Sequence, residues 1–435
     1  MPDTLSPDVL VIGGGPAGST AAALLATQGR RVTLVEKDAH PRFHIGESLL
    51  PRNLDVLERL GVLEEVRRIG VHKPGAEFVS DRTGRSCPFP FAKALDRSRT
   101  FSYQVKRAEF DELLFRNAAA KGAMAFQNTR VTGVEFGPED KRAVATAKTA
   151  SGEVLTIRPR YVLDASGRDT FLANRTTDKT VNKYNNTAAV YAHFEGVTRR
   201  EGEVEGYISI HLAEDGWFWL IPLSGGIMSV GFVGNQDVWK GRKGSVAEVL
   251  AEKITGSPTV SARMREARRV SEIHTAGNYS YRAQQGHGAK HLMIGDAFGF
   301  VDPMFSTGVL MAMTAGELGA EAAHAWLDDP VRGQRLAART NRELGRAMDC
   351  IGWLIYRIND PVMRSLFMAP RNTLWMRDGI INMLAGNLRG DPRAVIPILS
   401  FKALYATLSA LHRVGLGPEM PEALPGRAMP AIAAG

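Results

Sequence analysis

Three glycines in Gly13-x-Gly15-x-x-Gly18 and two tryptophans in Trp217-Phe218-Trp219 are the residues of this 435-residue chain whose types and spacing could do chemistry. The glycines fall between an apolar run, Asp8 to Gly13, and an alanine-rich run that starts at Pro16 and Ala17. In that setting Gly13 allows a tight turn, Gly15 lets backbone approach a pyrophosphate, and Gly18 permits close helix packing. The helix that follows offers amides and partial positive charge to the phosphates. Glu36, with Lys37 beside it, ends the next apolar run and is placed to accept hydrogen bonds from an adenosine ribose. Together these residues predict a dinucleotide site. The tryptophans imply something else. On a strand, residues one apart face the same side, so Trp217 and Trp219 can form one aromatic wall, with Pro222 closing the WFWLIP run. Alone, such a pair more often fills a core.

The elements that must position these groups follow from periodicity. Asp8 to Gly13, Pro16 to Gln28 and Arg31 to Glu36 read as a βαβ opening. Leu54 to Ile69 and Arg107 to Lys121 have helical spacing. Strands dominate from about Thr129 to Val233, a strand at His291 to Ile294 runs into Gly295-Asp296, and a helix rich in Gly, Ala and Met starts near Thr307. From Asp329 to Val414 the pattern is helical with a Trp, Met and Leu-rich face.

Composition bounds the function. Apolar residues are 44% of the chain, enough for sizeable cores, and 54 Lys and Arg against 46 Asp and Glu give +8, spread rather than gathered in a stripe. No nucleic-acid module is visible, so no nucleic-acid partner is expected. Cys87 and Cys350 fit neither a disulfide framework nor a metal knuckle, so no metal is expected either. No signal peptide and no uninterrupted apolar run near the length of a membrane span is read, which predicts a cytoplasmic enzyme with no membrane partner.

Which dinucleotide binds is settled by two later segments, Asp164-Ala165-Ser166-Gly167 and Gly295-Asp296-Ala297, and by the lack of a second GxGxxG for a nicotinamide. The second segment resembles the Gly-Asp element of flavoprotein hydroxylases. Gly46-Glu47-Ser48-Leu49-Leu50-Pro51, a lysine shortly after it (Lys73), the WFWLIP run and Phe300-x-x-Pro303-x-x-Ser306-x-Gly308 together resemble the flavin-dependent halogenases, nearest to those acting on pyrrole or phenol rings, through about residue 330. The resemblance implies an α/β fold of the p-hydroxybenzoate-hydroxylase type: a Rossmann-like FAD domain, an inserted antiparallel sheet on the substrate side and a helical C-terminal region.

What it implies about chemistry is specific. Reduced FAD would react with oxygen to give a C4a-hydroperoxide, chloride or bromide would attack its distal oxygen, and the hypohalous acid formed would reach Lys73 beside an electron-rich ring. Trp217, Trp219 and Pro222 would separate flavin from substrate. Ser306, Thr307 and Gly308 would bind halide through backbone amides at a helix start. Gly46, Glu47, Ser48, Arg107, Asp164, Gly167, Asp296, Pro303, Gly308 and Val309 would join the glycine loop in holding FAD. Phe305 stands where tryptophan halogenases carry a glutamate, which argues against free tryptophan as substrate and leaves no general base to name. A separate flavin reductase and an aromatic substrate, free or on an acyl or peptidyl carrier protein, are the implied partners in secondary-metabolite biosynthesis. The competing expectations are a hydroxylase of the same fold and, from a different class, a flavoprotein that binds a partner protein through its basic surface.

The expected division is a discontinuous FAD domain (1–80, 101–175 and 272–330), a β-sheet domain (81–100 and 176–271), a helical region (331–415) and a disordered tail (416–435).

Overall fold

A computed structural model describes residues 4–138, 141–241, 244–358, 360–388 and 392–417; the expected tail lies, from residue 418 on, outside them. The chain forms two compact units. The first comprises residues up to Gly70, Val105–Lys183 and Tyr279–Asp349; the second Val71–Gln104, Tyr184–Asn278 and the residues from Cys350 on.

The first unit is built on a sheet with order His287–Gly288, His291–Met293, Tyr161–Asp164, Val9–Ile12, Val32–Val35 and Met124–Phe126, parallel except at the His287–Gly288 edge. Its central runs, VLVI, VTLV and YVLD, are buried at every position, as strands covered on both faces must be. The chain leaves Val9–Ile12 through the helix Pro16–Thr27 to Val32–Val35 on one side, while Tyr161–Asp164 lies on the other. That reversal of strand order opens a crevice at the carboxyl ends, where open α/β sheets hold ligands. The helix Thr307–Asp328 packs on Pro16–Thr27 so closely that a Cβ on Gly316 would stand 2.6 Å from the Ala17 carbonyl oxygen. The helix expected over Leu54–Ile69 is two, Asn53–Leu60 and Leu63–Ile69, because Gly61 adopts φ +74 and ends the first.

The second unit holds, in adjacent strands, the part of Lys179–Glu195 from Tyr184 on, Met228–Asn235, Gly216–Pro222, Ile208–Leu212, Gly75–Ser80 and Ser86–Pro90. The pair Ile208–Leu212 and Gly75–Ser80 is parallel; the others are antiparallel. One sheet face carries Val190, Phe218, Leu220, Val230 and Phe232 and is covered by Leu250 and Val260 of the helices Val246–Gly256 and Pro258–Arg263. Farther along the chain, Phe367 of the helix Pro361–Met368 meets Phe78 and Phe89 at 4.6 and 4.9 Å between ring centroids.

Strand pairing relocates two expected boundaries. Residues 71–80 group with the second unit, since Val71–Lys73 pairs with Ser102–Gln104 and Gly75–Ser80 pairs with Ile208–Leu212. The expected helical region 331–415 is divided at Asp349 between the two units.

Candidate functional site

In the first unit the glycine loop separates into residues the protein demands and one it leaves open. Gly13 has φ +103, and a Cβ there would stand 2.3 Å from the Ala165 carbonyl oxygen; at Gly18 a Cβ would be 1.9 Å from the Gly13 oxygen. Neither position tolerates a side chain. Gly15 differs: its backbone is extended, φ −75, and the nearest protein atom to a Cβ would be Arg42 Nη2 at 3.8 Å. The absence of a side chain at Gly15 therefore serves something other than the protein's own packing. A pyrophosphate lying against Pro16, Ala17 and the helix start fits that space and that charge.

Glu36 is buried and holds the loop from below. Its Oε2 accepts from the Gly14 amide at 2.6 Å and its Oε1 from the Asp38 amide at 3.0 Å. A carboxylate offers about four lone-pair positions, so capacity remains for a ribose hydroxyl. Lys37 sits elsewhere than expected: its ammonium is 2.5 Å from Asp169, in an exposed pair. Asp164 is likewise committed to its own loop, accepting from the amides of Ser166 at 3.0 Å and Leu172 at 2.7 Å, and so shapes the turn at Gly167 (φ +62).

Arg107 is the centre of a buried hydrogen-bond network. Its Nε and Nη2 donate to the two oxygens of Asp111 at 2.7 and 2.9 Å, and its Nη1 donates to the Ile45 carbonyl at 2.7 Å. The paired guanidinium holds the buried Asp111 carboxyl below its ordinary range despite desolvation. Arg107 thereby pins the chain entering Gly46-Glu47-Ser48; Gly46 has φ +109, and the Val105 amide donates to the Glu47 carbonyl at 2.8 Å. Arg42 completes the charge line, 3.7 Å from both Glu36 and Asp111 and above Gly15. Sequence reasoning missed Arg42 and Asp111. Asp111 carried a usable signal, standing four residues after Arg107 on one helix; Arg42 carried none, since a loop brings it to the site.

The Gly295-Asp296-Ala297 turn lies against the same helices, with a Cβ on Gly295 falling 3.1 Å from that of Ala17 and 3.5 Å from that of Ala312. Burial pushes the Asp296 carboxyl up to about 6, opposed by Arg168 and Arg107. Beyond Pro303, Ser306 adopts φ +58 and delivers Thr307 and Gly308 to the start of a 22-residue helix whose end has no side-chain cap bond. A Cβ on Gly308 would meet nothing within 4 Å, and Val309 Cγ2 lies 3.6 Å from the Cβ position of Gly46. Uncapped amides beside open space at a helix N-terminus suit an anion.

In the second unit Lys73 ends the strand Val71–Lys73 at 1% exposure, with Nζ 5.2 Å from the centre of the Phe91 ring. Desolvation lowers its pKa to about 7, so the neutral amine is accessible at ordinary pH. Trp217 and Trp219 share a face, with ring centroids 5.9 Å apart, and Tyr191 extends the wall 5.5 Å from Trp219. The Trp219 indole N–H donates to Ser229 Oγ at 3.1 Å. Opposite it, Gly231 is required, because a Cβ there would lie 2.2 Å from the Trp219 ring. Pro222 is not part of this wall. Strand alternation places it with Phe218 and Leu220, paired with core residue Met228, on the other face. Among the described residues no cluster of His, Cys, Asp and Glu is arranged to hold a metal ion.

A glycine cradle at a strand-order reversal, an acidic residue beneath it and an arginine-pinned second loop define a dinucleotide-binding flavoprotein, and the FAD binding domain family model matches residues 6–318. The tryptophan 2-halogenase of Chondromyces crocatus is 37% identical over 319 residues, covering 72% of this chain and 60% of that protein. The 1H-pyrrole-2-carbonyl-[peptidyl-carrier protein] chlorinase of Pseudomonas fluorescens is 30% identical over 336 residues, covering 72% of this chain and 74% of that one. Among solved structures the myxobacterial chondrochloren halogenase has a TM-score of 0.78 at 32% identity, covering 82% of this chain and 83% of its own. The chain belongs to the flavin-dependent halogenase family, within the FAD-binding domain proteins. It spans 60% and 66% of the lengths of the tryptophan 2-halogenase and of one flavin-dependent halogenase of Armillaria mellea.

Proposed function

We propose that the protein halogenates an electron-rich aromatic ring, a phenol or a pyrrole, free or tethered to a carrier protein, using FAD reduced by a separate reductase. The observation that carries this reading is Lys73: a wholly buried lysine with its pKa near 7, on the same unit as an aromatic wall. FAD, when bound and reduced, supplies the oxygen chemistry that converts halide to hypohalous acid. The chain's own residues supply the rest. Gly15 and Arg42 accommodate the pyrophosphate, Arg107 fixes the loop beside the flavin, and the Thr307 and Gly308 amides hold halide. Neutral Lys73 would take halogen from hypohalous acid, forming an N–X bond with release of water, and pass it to a ring carbon that loses its proton; charged Lys73 would instead donate a hydrogen bond to the acid and polarise it. Phe305, buried where a carboxylate would serve a less activated ring, favours phenol or pyrrole over tryptophan.

The test supplies FAD, a flavin reductase, NADH, oxygen and bromide, with phenol, pyrrole and tryptophan traps read by mass spectrometry. Bromination of the phenol or pyrrole that vanishes in Lys73→Ala is expected. Bromide-independent hydroxylation of a trap would replace this reading with that of a hydroxylase.

A further inference from the structure

The helix Pro392–Arg413 is apolar on both sides, which a helix lying against a water-exposed surface should not be. Its inner face is ordinary: Pro397, Phe401 and Tyr405 are buried, with Tyr405 donating to Asp360 at 3.2 Å. The outer face runs Ile396, Leu399, Ala403, Ala406 and Ala410, a continuous helical stripe at i, i+3 and i+4 spacing, exposed at each position and free of charge. Ile396 is 65% exposed and Leu399 60%. By length and composition the helix is able to cross a membrane, which the sequence reading did not expect.

A second apolar feature lies beside it. Leu374 and Trp375, in the short turn Thr373–Trp375 that packs on this helix, both have left-handed backbone, φ +52 and +54, and are 55% and 61% exposed. Two consecutive non-glycine residues in that region are uncommon and strained. The strain is spent presenting a leucine and a tryptophan to solvent, and tryptophan favours a surface apolar on one side and wet on the other.

Charge selects the occupant. The helix has no acidic residue and carries exposed Arg393 at one end and exposed His412 and Arg413 at the other, with exposed Arg371 shortly before Leu374 and Trp375; Arg393 also lies 3.3 Å from Asp96. Cations flanking an uncharged apolar stripe complement an anionic lipid surface, with the helix lying in the interface. Lys402, 4.9 Å above the Trp353 ring, and the buried Phe401 and Tyr405 anchor the inner face and argue against the helix leaving to span the bilayer. We propose that this face, Leu374 and Trp375 with the outer stripe of Pro392–Arg413, docks the enzyme on an anionic membrane surface.

The test is co-sedimentation of the full FAD-loaded chain with vesicles of phosphatidylcholine alone and of equal parts phosphatidylcholine and phosphatidylglycerol. Binding to the anionic vesicles, weakened by salt, is expected, with Ile396→Asp/Leu399→Asp reducing it about tenfold or more. Both positions are exposed, so unchanged melting and flavin absorbance should show the variant folded. Failure of the wild type to bind either vesicle, or binding that the double variant retains, would overturn the proposal. So would a wild-type dimer in light scattering that the double variant splits, which would give the face to a second copy of the chain.

Discussion

Burying Lys73 costs the folded state while its amine is charged, and this separates its role in chemistry from any role in stability. Its folded pKa, about 7, lies below its ordinary value of 10.5. Between those two pH values the unfolded chain binds the proton and the folded chain sheds it, so stability rises with pH across that window, and the penalty is full below about 7. Lys73→Met removes the titration. It is expected to raise the melting temperature at pH 7, with the gain shrinking toward pH 10, while trap bromination falls about 100-fold or more. Differential scanning calorimetry across pH, paired with the halogenation assay, checks both halves; a variant that melts lower at pH 7 would show the lysine to be structural. A second residue-scale expectation concerns Gly231. Because a Cβ there would overlap the Trp219 ring at 2.2 Å, Gly231→Ala should displace the indole from Ser229 and destabilise the fold by about 1–3 kcal/mol, read by denaturant unfolding with tryptophan emission.

The glycine loop makes an element-scale contrast that two variants can read. Gly13→Ala places a Cβ into the Ala165 carbonyl at a φ that disfavours it, so the apo protein should lose stability. Gly15→Ala meets no protein atom closer than 3.8 Å and keeps an allowed φ, so the apo protein should be unchanged or gain about 0.4–1 kcal/mol. Its FAD affinity should nevertheless fall about tenfold or more, because a Cβ there would enter the space proposed for the pyrophosphate. Thermal melting of apo protein and flavin-fluorescence titration measure the two effects; equal losses in both for Gly15→Ala would place the requirement in the protein instead. At the start of the Thr307–Asp328 helix, Gly308→Ala is likewise open on the protein side. It is expected to keep FAD bound and raise the bromide KM severalfold, measured by bromide titration with the flavin signal monitored.

Across the whole molecule, legibility followed whether a residue's partner is near in sequence. The glycine loop, Arg107 and the Trp217/Trp219 face were readable because turn, helix and strand periodicities fix them locally, whereas Arg42 reaches Glu36 and Asp111 only through tertiary folding. Pro222 was misplaced although alternation alone assigns its face, and Lys37 and Asp164 spend on Asp169 and on loop amides the bonding that spacing offered a cofactor. The domain division was least legible, because the chain passes between its units after Gly70, Gln104, Lys183, Asn278 and Asp349, and no composition change marks those points. This interleaving has a consequence for truncation. The residues from Cys350 on complete the second unit: Phe367 packs on Phe78 and Phe89, and the buried Arg364 donates to the Ala213 carbonyl at 2.9 Å. A chain ending at Asp349 would expose that aromatic cluster and strip a hydrogen bond from a buried carbonyl, even though the matched family segment ends at residue 318 and every proposed FAD contact is retained. It is expected to aggregate or to melt well below the full chain. A soluble truncation that melted like the full chain would show the second unit to be complete without its helices, and expression with circular dichroism decides between the two.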